Sequence, residues 1–474
     1  MEQIMQGLAK FVTETKYADL PERVIHEVKR ILLDCAGDAI SANECDRGKI
    51  AVKLAKRLGG ATEATILGTC DRVSVANAAF ADGELIDAED YAPVGCGIHS
   101  SPHILPPVLV MAESLNISGQ DLLLAIAVTY EVSARISAAL TPIYESIRKA
   151  DGRYEIRHPA VCGAAYSILP GAAGAGKVMG LDPETLANAI GIAGYWAQPN
   201  TFRKWEMTAP ARMTKSDPAG WSAQGSVQAA LLASMGYEGD TDLFDTEFGF
   251  GKFSGSERWR PERILAGIGQ NWYLRMAYKD YPAGWCCGGA NPLLIAIMKE
   301  NNLTPDDIEH IHVMTHPLEE FKLWQENRMR TQDDVAFNVP YLLACAAYGV
   351  RKQDYYDMAV RNDPRIKAFM KKIDPSIDEE FKQKWAALQV KDFWGTSYMQ
   401  IEVKAKGKTF FKSLDYQKGA DHESSRMTDE ELIQKFRDNA ERTIPTHKIE
   451  KAIKAIFELE KVPQVSDLME LVTV

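Results

Sequence analysis

Apolar positions recur at helical spacing through the first two thirds of the chain. Ile25, Val28, Ile31, Leu32 and Cys35 follow one another at intervals that put them on one face of an amphipathic helix. Residues 122–139 form a richer apolar stretch with Ser118 ahead of it as a cap, and 224–235 (QGSVQAALLASM) form an Ala/Leu-rich run that stops at Gly236. Strand-like runs are scarce before residue 260. Beyond it the period changes to two. In 309–316 (EHIHVMTH) Ile311, Val313 and Thr315 share a face, and 398–403 (YMQIEV) with 409–414 form an alternating pair around a turn at 404–408 (KAKGK). Helical spacing returns from Asp429, with Ile433, Phe436, Ile449, Ile453 and Phe457 as apolar points. The pattern predicts a mainly α protein with a smaller α+β part. A large helical domain takes residues 1–267 and 421–474, and an inserted α+β domain takes 268–420.

Composition narrows the function classes. The 474 residues are 46% hydrophobic and 25% charged, the balance of a globular chain of more than one core. A net charge of −11 disfavours nucleic acid and anionic membranes as partners, although a pocket can still be locally basic. The N-terminus carries no basic leader followed by an apolar run, the apolar stretch 104–112 is short and contains Pro106-Pro107, and no window approaches the ~20 apolar residues that span a bilayer. Eight cysteines without framework spacing read as reduced thiols. The expectation is a cytoplasmic protein that engages no membrane.

Three stretches carry more specific information. The first is Leu85-Ile86-Asp87-Ala88-Glu89-Asp90, followed by His99-Ser100-Ser101-Pro102-His103-Ile104-Leu105-Pro106. The second is Arg157-His158-Pro159, which leads into a Gly/Ala-rich run ending at Gly180-Leu181-Asp182. The third is Thr214-Lys215-Ser216-Asp217-Pro218-Ala219-Gly220-Trp221, with Gly236-Tyr237-Glu238-Gly239 closing the helix after it. Fainter signals are Ala336-Phe337-Asn338-Val339-Pro340-Tyr341 and Asp415-Tyr416-Gln417-Lys418-Gly419. In order and distance these resemble the MmgE/PrpD family along nearly the whole chain.

The resemblance implies an enzyme that moves a proton at a carbon beside a carboxylate. Such a step needs a base tuned near neutrality, a partner acid and cations for the carboxylates. Carried over position by position, the resemblance nominates Asp87, His99, His158, Lys215 and Tyr341. His99 or His158 would transfer the proton, Lys215 would pair with a carboxylate, Asp87 would orient a histidine, and Tyr341 would donate from the inserted domain as a lid. Tyr91, His103, Arg212, Cys287 and Asn291 are the candidate contacts to the acid. The implied activity is a lyase that dehydrates a hydroxy acid or decarboxylates an unsaturated one, with an isomerase or epimerase as the neighbouring reading. A homodimer built through the helical domain, no cofactor and no metal are also implied. The chain departs from the family at Tyr91, where Thr is usual, at Pro218 and Asn291, where His is usual, at Pro170 inside a helix, and by two extra residues before His99.

Other signals compete. Gly171-Ala172-Ala173-Gly174-Ala175-Gly176-Lys177 has the spacing of a phosphate-binding loop, but Val178 stands where magnesium needs Ser or Thr, so a close-packed helix is the expectation. His310, His312 and His316 would suit zinc only with further ligands, which the spacing does not supply. Trp285-Cys286-Cys287-Gly288 raises a thiol hydrolase, which requires a lowered thiol pKa. A non-catalytic binding protein is the remaining class. The basic residues at 367–372 and 404–408 read as solvated faces.

Overall fold

The computed structural model describes residues 3–97, 99–207, 209–215, 219–317, 329–391 and 397–474. Helices dominate, as the periodicity predicts, with small sheets beside them. Helix Glu22–Ala42 buries Val28, Ile31, Leu32 and Cys35. Helices Val75–Ala88 and Gly119–Ala139 pack on it, Ser101–Ser114, Ile168–Val178 and Ala219–Ser234 pack on these in turn, and small residues set how closely they approach. A Cβ on Gly171 would lie 2.3 Å from Ser226 Oγ, and one on Gly174 would lie 2.1 Å from Thr129 Oγ1. The Gly/Ala run is therefore a packing surface inside a helix. Its Lys177 donates to the carbonyls of Thr13 and Thr15 at 3.0 and 2.9 Å. Pro170 does not interrupt this helix. It falls in the first turn, where a missing N–H breaks no intrahelical bond.

Helix Gly119–Ala139 starts where expected, with Ser118 Oγ accepting from Asp121 N at 3.1 Å. Contrary to the expectation that no window suffices, it is long and apolar enough to cross a membrane by length and composition. Its apolar window is nonetheless 89% buried among the other helices. It carries a fully buried pair, Glu131 and Arg135, 2.6 Å apart.

A second hydrophobic cluster takes Ala211 and residues between Tyr281 and Ala405, among them Leu294, Ile311, Leu342, Phe369 and Ile401. It covers a four-stranded sheet in the order Lys408–Leu414, Met399–Ala405, Ile308–Met314, Ile373–Asp374. Adjacent strands among the first three run antiparallel, and the last is parallel to Ile308–Met314. The hairpin turn is tighter than the sequence suggests, because Lys406 and Gly407 both adopt positive φ and leave Ala405 paired with Lys408. Residues 268–278, assigned by sequence to the inserted domain, pack Trp272, Leu274, Met276 and Tyr278 into the helical core instead.

Two devices fasten segments that are distant in sequence. A hairpin that the sequence did not reveal, Glu145–Arg148 with Tyr154–Arg157, lies on helix Glu379–Lys391. There Tyr154 N donates to Gln383 Oε1 at 2.7 Å, and Gln383 Nε2 donates back to Tyr154 O at 2.9 Å. The C-terminal return is fastened by Lys435 of helix Asp429–Ala440. Its buried ammonium lies 2.8 Å from Asp34 and 3.4 Å from Asp38, and it donates to Tyr91 O at 2.9 Å. Removing one partner of a buried ion pair strands the other in low dielectric. Lys435→Met is therefore expected to lower unfolding stability by about 3–5 kcal/mol, read as a drop in the urea midpoint at neutral pH.

Candidate active site

The helix Val75–Ala88 ends in a turn where Asp90 takes φ 50°, and the Asp90 carboxylate is buried there. Lys279 Nζ donates to its Oδ1 at 2.6 Å and to its backbone carbonyl at 2.8 Å. Lys215 Nζ lies 3.8 Å from the other carboxylate oxygen, and His99 Nδ1 lies 4.0 Å from Oδ1. Three distant segments thus converge on one acid. Lys215 is 1% exposed, and its ammonium, 5.3 Å above the Phe337 ring, has no hydrogen-bond acceptor among the described residues.

The electrostatics follow from burial and charge count. Burial alone would raise the Asp90 pKa, but Lys215, Lys279 and His99 override it and hold the carboxyl well below its usual range. His99 moves the other way. Burial and then the Lys279 charge push its imidazolium pKa down to about 3, with Asp90 only partly opposing them. His99 is therefore neutral at pH 7. Burial also lowers the Lys279 pKa, against the pull of Asp90. His103, fully buried in helix Ser101–Ser114, adds to the depression at His99.

Several residues nominated by sequence lie elsewhere. Asp87 does not orient a histidine. It accepts from Arg47 Nη1 at 2.6 Å, while Arg47 Nε donates to Glu84 at 2.8 Å and Glu84 accepts from Gly220 N at 3.0 Å. The acid that faces His99 is Asp90, just past the helix end. Tyr341 does not donate toward the site, since its hydroxyl is committed to Tyr355 O at 2.6 Å inside the second core. The Tyr91 hydroxyl likewise donates to Asp280 O at 3.1 Å, and its ring lies under Lys435. Cys287 is fully buried with its thiol pushed far up by burial, and the Cys286 thiol rises to about 12 by burial and the nearby Glu206. Neither is the low-pKa thiolate that a cysteine hydrolase needs. His312 bonds Ser376 O while His316 packs on Tyr144 and Trp385, so the strand histidines do not converge. Pro218 lies outside the described residues.

His158 belongs to a neighbouring group. Burial and the Arg203 guanidinium lower its pKa to about 4. Arg203 sits on the short helix Phe202–Glu206 and clamps the loop that carries His158. It donates to Pro159 O at 3.3 Å, to Ile143 O at 2.7 Å and to Glu206 at 2.7 Å. Burial raises Glu206 to about 8, with Arg203 opposing. Between the two groups lies Cys286, which feels both Glu206 and Lys279. A cavity of about 460 Å³ is lined by Lys204, Arg212 and Lys215, with no carboxylate among its described lining residues. Arg212 is exposed at its edge, and its carbonyl accepts from Lys215 N at 2.9 Å.

The MmgE/PrpD N-terminal domain profile matches residues 6–262, and the MmgE/PrpD C-terminal domain profile matches 281–460. The chain belongs to the MmgE/PrpD family. It is 26% identical to a cis-aconitate decarboxylase of Homo sapiens over 99% of this chain and 95% of that protein. It is 24% identical to cis-aconitate decarboxylases of Mus musculus, over 99% and 93%, and of Aspergillus terreus, over 96% and 92%. Asn291 was read from the sequence as standing where the family has His. It is fully buried at the start of helix Asn291–Glu300, and both heavy atoms of its amide end lack a partner among the described residues.

Asp90, Lys279, Arg203 and Glu206 were not read from the sequence as site residues. Asp90 was within reach, since it closes the stretch Leu85-Ile86-Asp87-Ala88-Glu89-Asp90 that carries part of the resemblance.

Two opposite linkages follow from these shifts. A histidine of ordinary pKa ~6.5 when unfolded but about 3 or 4 when folded favours unfolding as pH drops, since the unfolded chain takes up more protons. The His99 and His158 contribution is complete above ~6.5 and is lost as pH falls toward 3. Glu206, raised in the folded state, adds stability at low pH that is lost as pH rises through about 8. The two windows overlap, and two histidines outweigh one carboxyl within the overlap, so stability is expected to peak near pH ~6.5, where the histidine gain is complete and the Glu206 loss continues, with the acid-side slope shallower in His158→Gln. A urea-midpoint profile from pH 4 to 9 reads both.

Proposed function

We propose that this chain is a lyase acting on a small unsaturated carboxylic acid that bears more than one carboxylate, and that it decarboxylates the acid by proton transfer beside a carboxylate. The observation that carries the reading is the buried Lys215 ammonium, which has no hydrogen-bond acceptor among the described residues, lies 3.8 Å from Asp90 and stands beside a neutral His99. A substrate carboxylate supplies what Lys215 lacks. Arg212 and Lys204 stand along the same cavity for a second one.

In the reaction, the bond from carbon to one carboxylate breaks and carbon dioxide leaves. The electron pair shifts through the double bond, and a proton is delivered to the carbon at its far end. Lys215 and Lys279 stabilise the charge that develops on the remaining carboxylates. His99 is too weak a base to hold that proton in the free site. The negative charge of a bound acid beside Lys215 and Lys279 offsets the cations that depress it and raises its pKa toward neutrality. Asp90 holds both lysines in place. The nearly end-to-end coverage by cis-aconitate decarboxylases supports this choice of reaction, whereas dehydration of a hydroxy acid would use the same proton transfer with hydroxide as the leaving group.

The test is proton NMR in deuterated buffer with cis-aconitate and related di- and tricarboxylates, on dialysed protein with chelator present. One unsaturated acid is expected to be consumed, with carbon dioxide released and solvent deuterium at a single carbon of the product. His99→Ala is expected to lower kcat by about 10²–10⁴. Solvent exchange without net conversion would replace the lyase with an epimerase. No exchange and no consumption across the panel would remove the substrate class.

A further inference from the structure

A cavity of about 770 Å³ shares no lining residue with the one beside Lys215. Its size is within the range of small-molecule sites. Its walls come from the helical core and from helix Glu379–Lys391: Cys96 and Gly97 ahead of His99, Tyr144 just before the hairpin, Tyr166 and Trp272 from the helical core, and Gln389 from the end of that helix.

Its charge is unbalanced. Arg258, Arg263 and Arg275 line it against a single carboxylate, Glu145. That carboxylate is already taken, by Arg258 at 3.0 Å and by Arg157 at 2.9 Å. Arg275 is paired outside the cavity with Asp421 at 2.5 Å. Among the described residues the Arg263 guanidinium makes only a long contact, 3.4 Å, to the Ala138 carbonyl. Arg258 also feels Arg260, Arg263 and Arg157, which add to burial in lowering its pKa, while Glu145 alone opposes them. In a chain of net charge −11 this is a local reversal of sign, and low-dielectric walls concentrate anions at such a place.

The walls are also the backs of the two histidine-bearing loops. Tyr166 Oη donates to Gly97 O at 2.8 Å, two residues before His99, and a Cβ on Gly97 would sit 1.5 Å from that hydroxyl. The Tyr144 ring meets His316 at 5.8 Å between centroids, and His316 is close enough to His158 to feel its charge. We infer that this arginine-lined cavity is a second binding site, for a small organic acid with two or more carboxylates, distinct from the Lys215 site. An occupant would touch the segments that position His99 and His158 without reaching either ring.

The inference does not depend on turnover, so it is tested by binding. The probe is propane-1,2,3-tricarboxylate, which has neither a double bond nor a hydroxyl and cannot react as proposed above. Calorimetry at low ionic strength is expected to give two sites per chain for the unmodified protein. Lys215→Met should retain one of them, and Arg263→Glu should retain the other while weakening the arginine-lined site at least tenfold. Arg263→Lys, which keeps the charge, is expected to hold both and guards against a folding artefact. A stoichiometry of one that Lys215→Met abolishes would overturn the inference, as would two undiminished sites in Arg263→Glu. Inorganic phosphate displacing the tricarboxylate from the Lys215→Met protein with higher affinity would overturn the assignment to carboxylic acids.

Discussion

A carboxylate taken out of water must be paired, and that constraint at Asp90 organises the candidate site. Lys279 satisfies one oxygen and the backbone carbonyl together, which also fixes the positive-φ turn at the end of helix Val75–Ala88. Lys215 and His99 are then drawn to the same acid from loops far apart in the chain. Two lysines around one carboxylate leave a surplus of positive charge in a buried place. Burial first, and that surplus with it, keep His99 neutral, and the surplus makes the site receptive to an anion.

The two cores meet around this cluster, and the joints between them lie close to it. Lys279 and Asp280 stand at the crossing from the helical core to the second core, and Tyr91 reaches Asp280 O from the turn after Asp90. Arg47 ties the Asp87 helix to the start of helix Ala219–Ser234, directly after the Lys215 loop, through Glu84. On the other flank Arg203 anchors the His158 loop, and the hairpin before that loop grips helix Glu379–Lys391. Residues outside the reacting centre thus set the positions of those inside it.

Periodicity carried the fold because helix faces and sheet alternation are local properties. The face of Ile31, Leu32 and Cys35 is buried as read, and so are Ile401 and Val403 on their strand. The hairpin at 145–157 escaped because its strands are four residues each and half exposed, with charges breaking the alternation. For the site, the motifs located the right stretches but could not rank acids within one. Asp87 and Asp90 differ only in what lies opposite, and the partner that claims Asp87 is Arg47, forty residues earlier. Tyr341 misled for a similar reason, since its hydroxyl partner is a backbone carbonyl that no motif encodes.

The most direct measurement is an NMR titration of ¹⁵N-labelled imidazoles, with His99 assigned by its loss in His99→Gln. In the free protein His99 should stay neutral to at least pH 4, and saturating propane-1,2,3-tricarboxylate should raise its pKa by more than one unit. Titration near the ordinary histidine value of ~6.5 in the free protein, or a pKa that the bound acid leaves unchanged, would contradict the role given to the Asp90, Lys215 and Lys279 cluster.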